Sequence, residues 1–213
     1  MLMHAALFLQ LALADTGIGP EELRAGDLLL HTSRSAQSTA IAAATHSPYT
    51  HVGVVIESEG ALWVVEAHRR AQKTRLAAFV SRGRTPTVAL RDPRLDDPAV
   101  RERVQREALA LLGTPYDPAF SEGTEALYCS ELVVVAWARA GLAIGELDEV
   151  GALDLDAPAV RTLFAKRWRL HPACRRVSDP RDCRDIVARQ QVVTPAGLAR
   201  DASLRALGKL QRR

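Results

Sequence analysis

The sequence predicts one globular domain in which strands, including an antiparallel hairpin, combine with helices. The hairpin prediction rests on residues 51–67, where two apolar segments flank the turn pair Glu59-Gly60. The helix prediction rests on 98–112 and 129–140, which repeat apolar residues at helical spacing. The chain has 213 residues, 47% hydrophobic and 25% charged, which suits one core and excludes disordered and low-complexity proteins.

The first half of the chain predicts four strands and a helix. Residues 27–31 follow a glycine and form a short apolar strand, and 35–45 form a helix rich in small residues. Residues 51–57 alternate in polarity as a half-buried strand does, with 61–67 as the antiparallel partner. A further strand is predicted at 87–91, just before an Asp-Pro pair.

The second half of the chain predicts helices and loops. The helix at 98–112 has proline in its first position, and residues 113–125 form a loop. The helix at 129–140 is stopped by a glycine. Residues 146–213 are punctuated by prolines and predict short helices and loops without repeats. No second domain boundary is evident, so 15–213 is taken as a single domain.

The first fourteen residues predict a secretory signal peptide. They are apolar, carry no Lys, Arg, Asp or Glu, and end in Ala12-Leu13-Ala14, a sequence typical of a cleavage site. The alternatives are a buried N-terminal helix or a start codon placed too late. The stretch is too short to span a bilayer. We expect an exported, periplasmic protein, with a cytoplasmic location as the alternative.

The charge of the chain is unevenly distributed. Residues 161–213 carry 14 Lys and Arg against 4 Asp and Glu, while the whole chain has a net charge of only +3. A basic C-terminal region can contact an anionic envelope surface, although the general excess of Arg over Lys is equally consistent with a compositional habit of the source. No aromatic residues accompany the basic ones as in nucleic-acid grooves, so no nucleic-acid partner is predicted.

The three cysteines divide into a pair and a single residue. Cys174 and Cys183 lie in a polar loop and can form a disulfide in an oxidising compartment, or remain two unlinked thiols. The spacing of cysteines and histidines matches no zinc motif, and neither a metal nor another cofactor is predicted.

Cys129 is the candidate nucleophile because it opens the predicted helix 129–140. Unpaired backbone N–H groups at a helix N-terminus favour a thiolate and lower the pKa of a thiol. The same groups can stabilise an oxyanion. The alternative for Cys129 is a small buried core residue, which is the common role of free cysteines.

His51 and Glu66 are candidates for the other two positions of a catalytic triad. His51 shares a strand face with Gly53 and Val55, and Glu66 lies near the end of the partner strand, so the two side chains can be cross-strand neighbours. A carboxylate beside an imidazole fixes its tautomer and leaves the second nitrogen to accept a proton from Cys129. The alternatives are a structural histidine and a solvated glutamate.

Several segments together resemble the YiiX/YebB-like proteins, a circularly permuted papain-like branch of the NlpC-type cysteine hydrolases. These segments are GDLLLHTSRSAQSTAIAAATHSPYTHVGVVIE (26–57), VVEA (64–67), GTPYD (113–117), YCSELV (128–133) and QVVTPAGLA (191–199). The order of His51, Glu66 and Cys129 along the chain is the one that permutation requires. The leader and the loop carrying Cys174 and Cys183 also resemble those of exported members.

The resemblance implies an α+β fold with a small antiparallel sheet packed against the helix that carries the cysteine. It implies Cys129 as nucleophile, His51 as general base and acid, and Glu66 as the orienting residue. Tyr49 and Tyr128 match positions that line the site, and we expect them to bind substrate.

The substrate is not defined by any residue of the sequence. We expect hydrolysis of a cell-wall peptide amide through a thioester, with hydrolysis or transfer of an acyl lipid as the alternative. A protein that binds a lipid or wall fragment without catalysis is the non-enzymatic alternative, which the complete set of Cys, His and Glu disfavours.

Overall fold

The computed structural model describes residues 17–121, 123 and 125–211, so the predicted signal peptide 1–14 lies outside the described residues. The described strands are β1 (Gly17–Ile18), β2 (Leu28–His31), β3 (His51–Ser58), β4 (Ala61–Ala67), β5 (Ala71–Arg75), β6 (Val88–Arg91), β7 (Leu147–Glu149), β8 (Gln191–Val193) and β9 (Arg205–Leu210). The described α-helices are α1 (Ala36–Thr45), α2 (Leu76–Arg82), α3 (Pro98–Ala110), α4 (Cys129–Arg139), α5 (Pro158–Arg167), α6 (Pro180–Val187) and α7 (Pro195–Arg200). The fold is therefore mixed α+β, as predicted. Within this part of the chain, no helix combines the length and apolar character that a membrane span requires.

Seven strands form one sheet in the order β1-β9-β6-β2-β3-β4-β5. All neighbouring strands run antiparallel except β1 and β9, which are parallel. The strands β7 and β8 form a separate two-stranded sheet. The last described strand, β9, thus lies inside the main sheet, between β1 and β6.

The predicted hairpin of β3 and β4 is confirmed. Glu59 and Gly60 both have positive φ, 56° and 70°, which is the backbone that a tight two-residue hairpin turn requires. The register pairs Val55 with Val64, so the side chains of odd-numbered residues in β3 share a face with even-numbered residues in β4. His51 and Glu66 therefore belong to the same face.

The sheet separates two apolar clusters. On one face Val54 and Val65 pack with α3 and α4, and this main core includes Trp137, which is fully buried. The Nε1 of Trp137 donates a hydrogen bond to Asp92 at 3.0 Å, which fixes α4 against the loop after β6. On the other face Val55 packs with Phe79 of α2.

A third, smaller cluster lies in the C-terminal region and contains Trp168 and a disulfide. The sulfur atoms of Cys174 and Cys183 are 1.99 Å apart, and both residues are buried. The disulfide joins the short helical turn Pro172–Cys174 to α6. This region, like α1, borders the site described next.

Five strands and one helix were not predicted: β1, β5, β7, β8, β9 and α2. The sequence of β5, AQKTR, has no alternating apolar pattern because the strand lies at the edge of the sheet and is only partly buried. The prediction of helices and loops alone for 146–213 is therefore wrong for β7, β8 and β9. Those strands are short or polar, and they are held by partners distant in sequence, such as Val88 opposite Lys209.

Candidate active site

Cys129 is the first residue of α4 and is 3% exposed. The residue before it, Tyr128, is extended, and its backbone N–H donates to the carboxylate of Glu131 at 3.4 Å, which closes the first turn. The N–H groups of that turn have no partner within the helix, because a helix leaves its first donors unpaired. The Cys129 sulfur therefore lies at the positive end of an eleven-residue helix.

The start of α4 is tied to strand β8 by side-chain hydrogen bonds. The Ser130 hydroxyl donates to the carbonyl of Val193 at 2.8 Å, and the Val193 N–H donates to the Tyr128 hydroxyl at 3.3 Å. Both bonds are buried. They explain why the residues on either side of Cys129 are polar although their surroundings are apolar.

His51 and Glu66 form a buried pair on the sheet. The Nε2 atom of His51 lies 2.6 Å from Oε2 of Glu66. His51 is 8% exposed and Glu66 is fully buried. Because Nε2 is occupied by the carboxylate, Nδ1 is the nitrogen left to exchange a proton with the Cys129 thiol.

The second carboxylate oxygen of Glu66 is also fully engaged. The Thr74 hydroxyl donates to Oε1 at 2.6 Å, the Arg82 guanidinium donates to the same oxygen, and Gln72 approaches it at 3.4 Å. Burial alone would raise the pKa of Glu66, but the hydrogen bond and charge of His51, with Thr74 and Arg82, lower it to about 2. The carboxyl is therefore ionised throughout the neutral range.

His51 is held in its charged form. Burial alone would lower the pKa of His51, but hydrogen bonds with Cys129 and Glu66, and the negative charges of those two groups, raise it from 6.5 to about 9. The chain of contacts therefore runs from Glu66 through His51 to Cys129. Such an arrangement, an imidazolium beside a cysteine sulfur, is typical of cysteine nucleophiles that attack carbonyl carbon.

An aromatic side chain supports the His51 ring. The ring centroid of Phe79 lies 5.7 Å from that of His51 and 4.5 Å from that of His31. Gly53 leaves the room for this packing, because a Cβ atom at that position would come within 2.4 Å of Val64 and 3.1 Å of Phe79. The glycine in the strand is thus explained by the support of the histidine.

The carboxyl of Glu131, in the first turn of α4, has a raised pKa. Burial and the nearby charge of Asp117 raise the pKa of Glu131 to about 8, against the opposing effect of the Tyr128 N–H. Below that pH the side chain is mostly neutral. It then adds no full negative charge to the first turn of α4.

An apolar cavity of about 180 Å³ borders Cys129 on the side away from the sheet. It is lined almost entirely by carbon, with walls from α1, α5, β8 and the C-terminal cluster. Representative lining residues are Ala40, Ala44, Leu163, Phe164, Trp168 and Val193. We call this space the apolar cavity.

A second, polar space of about 630 Å³ borders Cys129 on the side of His51. We call it the polar cleft, and it is lined by side chains such as Gln37, His68, Arg82, Tyr116 and Arg167. The Gln37 amide donates to the Tyr116 hydroxyl and its oxygen accepts from Arg167 at 2.5 Å. Burial raises the pKa of Tyr116, with the charge of Cys129 adding to the effect, so its hydroxyl stays protonated.

The structure brings together three of the five predicted site residues, Cys129, His51 and Glu66. Tyr128 lines the apolar cavity and contacts Phe120 edge to face at 5.3 Å. Tyr49 is partly buried against the main core and is not among the described residues that line the two spaces beside Cys129.

The sequence analysis did not identify Arg82, which contacts Glu66, or Gln37 and Tyr116, which are hydrogen-bonded to each other in the polar cleft. The segment GTPYD, which contains Tyr116, carried a signal through the family resemblance, but its hydroxyl was not singled out. Arg82 carried no signal, because one arginine among many in the sequence shows nothing of the buried carboxylate that it contacts. Among the described residues, no three His, Cys, Asp or Glu side chains are placed to hold a metal ion.

Known proteins are similar to this chain in sequence and in fold. A protein of Escherichia coli K12, named uncharacterized protein YiiX, is 32% identical over 147 residues, which cover 67% of this chain and 72% of YiiX. A crystal structure described as metalloprotein yiiX from Escherichia coli O157:H7 superposes with a TM-score of 0.76 at 28% identity, covering 87% of this chain and 97% of that one.

The family comparison covers almost the whole described region. Residues 22–208 match the family described as "Permuted papain-like amidase enzyme, YaeF/YiiX, C92 family". The order of His51, Glu66 and Cys129 along the chain agrees with such a permutation. The chain belongs to the C92 family of permuted papain-like amidases and is a cysteine hydrolase.

Proposed function

We propose that the protein hydrolyses the amide bond of a substrate with an apolar acyl chain, using Cys129, His51 and Glu66 as a catalytic triad. The observation that carries the proposal is the buried hydrogen-bonded pair of Glu66 and His51 beside Cys129, which also lines the apolar cavity. The first feature supports thiol chemistry on a carbonyl. The second supports an acyl chain as the part of the substrate that is bound beside the sulfur.

The proposed reaction has two halves. The Cys129 thiolate attacks the amide carbonyl, and the C–N bond breaks as the imidazolium of His51 gives its proton to the leaving amine. A thioester of Cys129 remains. His51, now neutral, takes a proton from water, the hydroxide attacks the thioester, and the carboxylic acid leaves while the thiolate and imidazolium are restored.

Two groups support the intermediates. The unpaired N–H groups at the start of α4 lie close to the sulfur and can donate to the oxyanion that forms after attack. Glu66 keeps the His51 ring in one tautomer and stabilises its positive charge. Arg82 and Thr74 keep Glu66 ionised and in place, and so act through it.

The apolar cavity favours an acyl substrate over the wall peptide that the sequence led us to expect. Peptides of the cell wall carry charged and amide groups, which lose hydrogen bonds when they leave water for a carbon-lined space. An alkyl chain gains about 0.8 kcal/mol for each buried methylene. Hydrolysis of a wall peptide is retained as an outcome of the test below.

The test is a panel of acyl p-nitroanilides with chains of four to twelve carbons, together with a D-glutamyl wall tripeptide. The wild-type protein should release p-nitroaniline at a rate that rises with chain length until the cavity is filled. Cys129→Ala is the matched control and should release none. Cleavage of the tripeptide with no cleavage of the anilides would contradict the acyl proposal, and activity of Cys129→Ala would contradict the triad.

Alkylation by iodoacetamide tests the Cys–His pair without a substrate. Cys129 should react rapidly well below pH 8, because a neighbouring imidazolium stabilises the thiolate. His51→Ala should slow the reaction at neutral pH. An ordinary thiol profile in both proteins would count against activation of Cys129 and favour the binding protein considered above.

We propose that the protein works in the cell envelope. The Cys174–Cys183 disulfide supports this location, because disulfides persist in oxidising compartments. Exposed Arg169, Arg175 and Arg176, together with Leu170, which is 53% exposed, support contact of the C-terminal region with an anionic surface. Flotation with vesicles of anionic lipid, compared with neutral vesicles, tests the contact.

A further inference from the structure

The apolar cavity and the polar cleft meet at the nucleophile. Both spaces are lined by Cys129, and they also share Ile41, Pro118 and Arg167. A substrate whose acyl chain fills the apolar cavity therefore has its carbonyl at the sulfur and its leaving amine at the polar cleft. The lining of the cleft should then match the chemistry of the amine part of the substrate.

The polar cleft is lined by positive charges. Three arginines contribute to it, Arg34, Arg82 and Arg167, and none of its described lining residues is Asp or Glu. Arg82 is paired with the buried Glu66. Arg167 donates to the oxygens of Gln37 and Pro118, which are uncharged, so its positive charge has no carboxylate partner among the described residues.

A shallow basin extends the cleft and adds a fourth arginine. The basin is lined by Arg34, Ser35, Thr39 and Arg84, and it shares Arg34 and Ser35 with the cleft. The backbone N–H of Arg84 is fixed to the carbonyl of Thr32 at 2.8 Å. Neither guanidinium, that of Arg34 or that of Arg84, forms a hydrogen bond or ion pair with a side chain in the described part of the protein.

We propose that Arg34 and Arg84 bind an anionic group on the leaving amine, so that the substrates are N-acyl amines ending in a carboxylate or phosphate. Two guanidiniums on one basin repel each other, and an anion between them removes that repulsion. Guanidinium groups also match carboxylate and phosphate oxygens geometrically. This inference rests on the proposed function, because it assumes that the acyl chain occupies the apolar cavity.

Binding to Cys129→Ala protein tests the inference without turnover. The ligands are N-lauroylglycine, N-lauroylethanolamine phosphate and, as the neutral match, N-lauroylethanolamine, each at concentrations where it is monomeric. The anionic ligands should bind about tenfold more tightly than the neutral one, as expected for a charge-assisted hydrogen bond. Whichever of the two anionic ligands binds more tightly shows whether the site prefers a carboxylate or a phosphate.

Substitution of both basin arginines identifies the groups responsible. Arg34→Ala with Arg84→Ala, in the Cys129→Ala background, should remove the preference for anionic ligands and leave the affinity for the neutral ligand unchanged. Arg103→Ala with Arg106→Ala is the matched control, because both residues are exposed and neither lines the cleft or basin. Equal affinities in the parent protein, or a preference that survives in the basin variant, would overturn the inference.

Turnover by the wild-type protein separates this inference from the proposed function. Hydrolysis of N-lauroylethanolamine that depends on Cys129, without any preference for anionic ligands, would leave the proposed function standing and refute the basin. An anionic preference in binding, with no hydrolysis of any N-acyl amine, would refute the proposed function and leave the basin as an anion site. The preference should also weaken at higher ionic strength, because Arg34 and Arg84 are exposed.

Discussion

On one side of Cys129 lies a sheet whose polar side chains are closely hydrogen-bonded, and on the other lies a wall of short helices held by apolar packing and one disulfide. On the sheet side, both oxygens of Glu66 are bonded and His51 is supported by Phe79. On the wall side, residues 150–195 surround a cavity, and their own buried cluster is small.

This difference indicates that the sheet side supports the reaction, whereas the wall side determines which substrates fit. The sheet side fixes the His51 ring in one orientation, as its proposed role as general base requires. The wall side supplies shape and apolar surface, which can differ among proteins without disturbing the triad. Changes on the sheet side should therefore affect every substrate, whereas changes on the wall should affect only some of them.

The largest effect should follow removal of Cys129, the proposed nucleophile, where the two sides meet. Cys129→Ala should reduce kcat by a factor on the order of 10⁵ for every acyl chain length, because no thioester can form. Binding of the lauroyl ligands should be retained. The measurement is single-turnover hydrolysis with binding on the same preparation, and loss of binding together with activity would indicate a structural role for the cysteine.

Glu66→Gln should have the second largest effect, on the sheet side. The amide keeps the shape but removes the charge that stabilises the His51 imidazolium, so kcat/KM should fall about 100-fold for short and long acyl chains alike. The high-pH limit of activity should also move below about 9, because the pKa of His51 falls. An unchanged pH profile would contradict the proposed role of Glu66.

The same two groups make stability depend on pH at both extremes. The pKa of His51 in the folded protein is raised to about 9. Its contribution to the free energy of unfolding is therefore full below pH 6.5 and is lost as the pH rises through 9. The folded pKa of Glu66 is lowered to about 2, so its contribution is full above 4.5 and is lost as pH falls through 2. The stabilisation by this pair, measured as the denaturant midpoint, should therefore be greatest between pH 4.5 and pH 6.5. In His51→Ala, the midpoint should fall less as the pH rises toward 9.

A smaller effect should follow partial filling of the apolar cavity. Ala44→Phe on α1 places a ring in the space, so hydrolysis of a twelve-carbon substrate should fall about tenfold while that of a four-carbon substrate is unchanged. Ala43→Phe is the control, because Ala43 precedes Ala44 on the same helix and does not line the cavity. Equal losses for both chain lengths would show that the wall and the triad are not independent.

The smallest effect on catalysis should follow loss of the disulfide. Cys174→Ser with Cys183→Ser should destabilise the wall by about 2–4 kcal/mol and lower the rate for long acyl chains a few-fold. The rate at which iodoacetamide alkylates Cys129 should not change, since the sheet side is intact. Hydrogen exchange around Trp168 and β3 measures the two sides separately, and equal loosening of both would contradict the comparison.

The sequence allowed much of the sheet side to be predicted and little of the wall. Alternation in β3 and β4 and the helical spacing after Cys129 are local patterns, so the hairpin and α4 could be read directly. The contact between Glu66 and Arg82 could not, because it depends on α2, which shows no strong pattern of its own. The cavity could not be predicted either, since it is enclosed by elements far apart in the chain.

The position of His51 and Glu66 ahead of Cys129 affects the protein during its synthesis. A growing chain contains the residues of β3 and β4, His51 and Glu66 among them, before residue 129 has been added. The main sheet closes later still, because β9 is the last described strand and lies between β1 and β6. An unfinished chain therefore carries the histidine and its carboxylate without Cys129, and hydrolytic activity requires the near-complete domain.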